Sequence, residues 1–129
     1  MRKAQQTRSL IAAWFDFMPP TELPVAQEIH RLIRGIAPEM VETIRQGNLL
    51  LSINGEPLLA ISPARGQVQL LVFNGSDIDA DVPGLEGVGR RQRMVRLRSA
   101  EPVDIALVER VVRASVDIAR RPHAPSLRD

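Results

Sequence analysis

Five arginines, Arg90, Arg91, Arg93, Arg96 and Arg98, fall within nine residues, directly after Gly87-Val88-Gly89. A guanidinium is a planar fork of donors that suits phosphate or carboxylate, and glycines can expose successive backbone N–H groups as an anion-binding concavity. The stretch therefore reads as a site for an anionic ligand or protein partner, with the backbone of a nucleic acid as an alternative. A plainer reading is a solvated strand face whose charges blunt a sheet edge. Asp77, Asp79, Asp81, Glu86 and Glu101 lie close enough in sequence to neutralise it. The Gly-Val-Gly precedes a strand, whereas a dinucleotide fingerprint opens a helix.

Other chemistry has little material. Asp77, Asp79 and Asp81 open like a calcium loop, but Val82 and Val88 stand where that loop needs a glycine and a bidentate glutamate. Glu39 and Glu42, three apart on an expected helical turn, would share a face and could hold a hard cation weakly with Glu28 or His30. His30 sits mid-helix and His123 near the end of the chain, so no two-histidine site forms. The serines have no neighbouring base, and no nucleophile motif surrounds them. We therefore expect no catalytic residues, no resident cofactor and no enzyme activity.

The elements that must position these residues follow from periodicity. Ala4–Met18 reads as a helix with Leu10, Ile11, Trp14 and Phe17 at helical spacing, stopped by Pro19-Pro20. Trp14 and Phe17 are expected in the core. A second helix, capped by Thr21, carries a stripe of Val25, Ile29, Leu32, Ile33 and Ile36. Pro38–Arg45 reads as a short third helical turn. Beyond Gly47 the period becomes that of strands: Asn48–Ile53, an Asn54-Gly55 hairpin, Leu58–Ser62, and Gln67–Phe73. After a long Gly/Asp/Pro loop, Gln92–Arg98 is a fourth strand, with Val95 and Leu97 on one face and Arg96 and Arg98 on the other. A last helix opens at Pro102, with Ile105, Val108, Val112 and Val116 as its buried stripe, and Pro122 ends it.

The expected class is α+β: N-terminal helices and one C-terminal helix packed on an antiparallel sheet of four to five strands. Residues 1–121 form a single domain, and 122–129 a disordered tail. The chain holds only one tryptophan, three phenylalanines and no tyrosine, so its core is aliphatic and offers few platforms for stacking bases. The absence of cysteine fits a reducing cytoplasm, and no apolar run approaches the ~20 residues of a membrane span.

Several motifs together resemble a bacterial family, the YdhG-like domains of unknown function. They are Ala37-Pro38-Glu39 with Ile44 and Gly47; Phe73 and Gly75 with Leu85, Gly87, Gly89 and Arg93; and Val95-Arg96-Leu97-Arg98-Ser99 running into the last helix. Some members of that family are described as frataxin-like iron chaperones. The resemblance implies helices on one face of a small antiparallel sheet, a shallow pocket near the Gly47 turn and, as an alternative function, iron held by carboxylates such as Glu39 and Glu42. The family pattern of aromatics and proline around that glycine is replaced here by Gln46, Leu49 and Leu51. The resulting expectation is a small cytoplasmic binding domain, compatible with a homodimer. Its site lies between the Gly47 turn and the Gly75–Arg98 segment: Gln46, Gly47, Leu51, Phe73, Gly87, Gly89 and the five arginines.

Overall fold

The structure, a computed structural model, describes residues 2–121, with side chains from residue 8 onward. The expected tail at 122–129, and His123 within it, lie outside the described residues. Helices α1 (Arg2–Asp16) and α2 (Leu23–Ile36) come first. Strands β1 (Val41–Arg45), β2 (Asn48–Ile53), β3 (Glu56–Ala64) and β4 (Gln67–Val72) follow as a meander. A 3-10 turn (Gly75–Ile78) leads to β5 (Glu86–Val88), β6 (Gln92–Arg98) and helix α3 (Ile105–Arg120). The sheet order is β1-β2-β3-β4-β6-β5, with every neighbouring pair antiparallel. This is the expected α+β class, with six strands rather than four to five.

The two additional strands arise where loop or helix was expected. Pro38–Arg45 is not a helical turn; Val41–Arg45 is β1. Met40, Val41 and Ile44 fit a helical stripe, but β-branched residues at 41, 43 and 44 suit a pleated strand at least as well. The hairpin decides it: Gln46 and Gly47 both adopt positive φ, at 52° and 79°, which joins Arg45 to Asn48 in a two-residue turn. At the other edge, Glu86–Val88 leaves the long loop to pair with β6.

One face of the sheet is covered and the other is free of helices. Leu49, Leu51, Leu59, Ile61, Val68, Leu70, Val95 and Leu97 join the core with Ile29 and Ile33 of α2 and Val108, Val112 and Val116 of α3. Ile105, expected in that stripe, is instead exposed, because α3 begins there with Asp104 as its cap accepting from the Leu107 N–H. Helix α2 begins after Glu22 rather than Thr21. The buried Glu22 carboxylate accepts from Ser99 Oγ at 2.8 Å, tying the start of α2 to the end of β6. The hydroxyls of Thr21 and Ser99, with the Gly66 N–H, hold its pKa below the usual carboxylate range.

The crossover between β4 and β6 is locked at two points. Buried Asn74 receives Ser115 Oγ–H at 2.7 Å and donates its amide to the Ser115 carbonyl at 3.2 Å, fixing the loop to α3. Gly75 lies against β6 so closely that a Cβ there would meet Arg93 Cβ and Cγ at 2.5 Å and its backbone nitrogen at 2.7 Å. Backbone atoms cannot step aside as a flexible side chain can. Gly75→Ala should therefore destabilise the fold by about 2 kcal/mol through overpacking, read as a lower urea midpoint with an unchanged slope. A midpoint equal to wild type would show that the contact relaxes freely.

Candidate functional site

The arginine-rich segment folds as strand and hairpin, and most of its charge is answered internally. Arg93 lies on the helix side of β6, opposite Val72, with its side chain 17% exposed. Its Nε donates to Asp79 Oδ1 at 3.1 Å and its Nη2 to Oδ2 at 2.9 Å. Its Nη1 reaches the carbonyls of Gln92 at 2.8 Å, Arg90 at 3.3 Å and Gly89 at 3.5 Å. The turn after Gly87 thus offers carbonyl oxygens to a cation of its own chain, the opposite polarity from an N–H nest. On the free face, Arg96 pairs with Glu86 at 3.3 Å and donates to Gln67 Oε1 at 2.9 Å. Arg91 approaches Asp77 at 3.4 Å, while Arg90 at the hairpin tip and Arg98 near the end of β6 are exposed.

Two other expected site residues, Gln46 and Phe73, do come together. They line one shallow groove of about 380 Å³ on the helix-free face, with Arg45, Asn48, Leu50, Pro57, Ala60, Leu71 and Gln92. Its floor is the register row Leu50–Ala60–Leu71, one residue from each of three adjacent strands. Leu51, expected in the site, is fully buried on the opposite face. Alternation along a strand sends neighbours to opposite sides, so the groove receives Leu50 instead. Gly47 turns away: its carbonyl accepts Trp14 Nε1–H at 2.8 Å. Gly87 and Gly89 belong to the far β5–β6 hairpin, outside the groove.

Sequence reasoning misses Arg45, the cationic end of this groove, because the apolar spacing of Pro38–Arg45 also fits a helical turn. The pair Gln46-Gly47 between Arg45 and Asn48 was the available signal, since a two-residue turn ending in glycine is a hairpin pattern. Arg45 is exposed and takes part in none of the ion pairs among the described residues.

The carboxylates considered for a cation do not converge. In a strand setting Glu39 and Glu42 no longer share a helical face. Glu39 receives Arg120 Nε at 2.7 Å and Nη2 at 2.8 Å. Glu42 points between the helices, 2.7 Å from His30 Nε2 and 3.6 Å from Arg34 Nε. Among the described residues no group of three or more metal-ligating side chains occurs. Trp14 is half-buried on α1, but Phe17, expected in the core, is 87% exposed. The helix ends at Asp16, so the next inward position after Trp14 is taken by Met18, which is buried.

No protein-family model and no curated protein matches the sequence. A solved structure matches the fold: the crystal structure of a protein from the DUF1801 family (YdhG) from Bacillus subtilis is similar, with a TM-score of 0.67 and 14% identity over 87% of this chain and 93% of that one. This chain has the YdhG fold. The motifs behind the resemblance now have structural reasons within that fold. Gly75 admits β6, Arg93 ties the crossover, and Ser99 binds Glu22. Among the described residues no helix is long and apolar enough to cross a membrane.

The Arg120 hydrogen bonds hold the Glu39 carboxyl at about 2, below its usual 4.5. A depressed folded-state pKa contributes stability that is complete above the unfolded value and is lost as pH falls through the folded one. Wild type should therefore be more stable than Glu39→Gln near neutrality, with the difference shrinking from about pH 4.5 and gone near pH 2. Urea midpoints measured across that range test it; a constant difference would mean that the ion pair is not its source. Glu22 titrates in both proteins and cancels in the comparison.

Proposed function

We propose that the protein is a non-catalytic binding domain that accepts an anionic, partly apolar ligand on the helix-free face of its sheet. The observation that carries this reading is Arg45, a cation in no ion pair among the described residues, at the end of an apolar groove floored by Leu50, Ala60 and Leu71. Ligand sites of this kind combine an apolar surface with a few polar groups that fix orientation. Here Gln46, Asn48 and Gln92 supply amides around the rim. Charge placement favours Arg45 over Arg93 and Arg96 of β6. Arg93 and Arg96 already have carboxylate partners, and a ligand would have to displace those to bind there.

The absence of an assembled reaction centre in this groove supports binding rather than turnover. His30 lies across the sheet with Glu42 and Phe15, away from the groove. The groove's lining includes no acid, imidazole or hydroxyl.

Naphthalene-2-sulfonate, an aromatic anion small enough for the groove, is a suitable probe. Saturable binding is expected by titration calorimetry, with amide shifts at Gln46, Asn48, Leu71 and Gln92. Arg45→Gln should weaken it about tenfold, the loss of one charge-assisted hydrogen bond. Binding unaffected by that substitution, or shifts centred on Arg90 and Arg91, would overturn the assignment.

A further inference from the structure

A second cavity, of about 420 Å³, lies where the start of α2, the β3–β4 turn and the end of β6 meet. Thr21, Glu22, Arg65, Gly66, Ser99 and Ala100 line it, and none of them belongs to the groove. Glu22 is only 4% exposed, yet its side chain forms part of the cavity wall. It stands at the N-cap position of α2 but makes no side-chain cap to that helix. Its carboxylate turns instead to neutral donors: Ser99 Oγ–H at 2.8 Å, the Thr21 hydroxyl and the Gly66 N–H. Glu22 is in no ion pair among the described residues. Buried charges are ordinarily paired, and this one faces a cavity. A neutral amide could tie α2 to β6 through the same Ser99 hydroxyl, so the latch alone does not call for a charge.

The polarity of the wall identifies the ligand. A hydroxyl whose proton is committed to a carboxylate offers a ligand only its oxygen lone pairs. With Ser99 and Thr21 so committed, the wall around Glu22 presents a carboxylate and two acceptor oxygens, which suits a positively charged group with several N–H donors. Arg65 supplies the complementary charge. It is exposed, is in no ion pair among the described residues, and has the planar fork of donors that fits a carboxylate. A simple amine would answer Glu22 but set a second cation beside Arg65. A metal ion fits poorly, since no group of three or more metal-ligating side chains occurs among the described residues. We propose that this cavity binds a free α-amino acid as its zwitterion, the ammonium on Glu22, Thr21 and Ser99 and the carboxylate on Arg65. The N-terminus of a peptide fits less well, because its first carboxyl is an uncharged amide. Thr21, Gly66 and Ala100 are exposed, so the ligand's side chain runs out toward water and the site selects the charged head.

The probe is L-alanine, titrated into the full chain near neutral pH and followed by the amide shifts of Gly66, Ser99 and Ala100. It should bind at least about tenfold tighter than L-alaninamide, which lacks the carboxylate, and than propionate, which lacks the ammonium; each comparison removes one charge-assisted contact. Arg65→Gln, in an exposed turn, should weaken alanine about tenfold and leave alaninamide within about twofold. Glu22→Gln should abolish alanine binding with the rest of the amide spectrum retained. Where that variant fails to fold, Arg65→Gln decides the matter. Alaninamide or propionate binding as tightly as alanine, wild-type affinity in Arg65→Gln, or no shift at these amides would overturn the proposal. Arg65→Gln should also leave naphthalene-2-sulfonate affinity within about twofold, so a failure here is distinguishable from a failure of the groove.

Discussion

The guanidinium of Arg93 is the contact on which the second half of the chain depends. It binds Asp79 in the crossover and three carbonyls around the β5–β6 hairpin. A long connection between two paired strands carries many backbone groups with no regular partner, and closing it costs conformational entropy. One planar side chain with five donors answers several of these groups at once. Gly75 is its counterpart: without a side chain there, the crossover can lie directly on β6 and bring Asp79 within reach. The arginine-rich segment that stands out in the sequence is in large part framework.

That arrangement also determines where a ligand has room. Helices α2 and α3 cover one face of the sheet with aliphatic side chains, and among the described residues no buried side-chain polar atom lacks a hydrogen-bond partner. The other face carries apolar side chains in its middle row and polar ones alongside. Such a surface can stay in water because its apolar stripe is narrow, and the proposed ligand would meet beside that stripe Arg45, which is in no ion pair among the described residues. The acids of the crossover and β5 neutralise β6 locally. Among the described residues, Arg45 and Arg98 are the cations left on this face without an ion pair.

How much of this was legible from the sequence varied with the physics of each segment. The α2 stripe, the Asn54-Gly55 hairpin and the alternation of Gln67–Phe73 were readable because local periodicity and burial agree there. The division of β6 into core-facing Val95 and Leu97 and outward Arg96 and Arg98 was readable for the same reason. Pro38–Arg45 was not, since its apolar spacing satisfies both periods and only the turn at Gln46-Gly47 separates them. That misreading hid Arg45, and the parity of β2 put Leu51 in the core where Leu50 faces the groove. The roles of Arg93 and Glu39 depend on partners 14 and 81 residues away, which no local pattern discloses.

Arg93→Gln tests most directly whether the structural arginine is distinct from the one proposed to bind. Urea unfolding and naphthalene-2-sulfonate titration should be run on the same preparation. Loss of the guanidinium should lower stability by about 2–3 kcal/mol, the scale of hydrogen bonds to a charged group, and leave the affinity of the folded protein within about twofold of wild type. Unchanged stability with binding abolished would contradict the account, and would return the site to the β5–β6 hairpin.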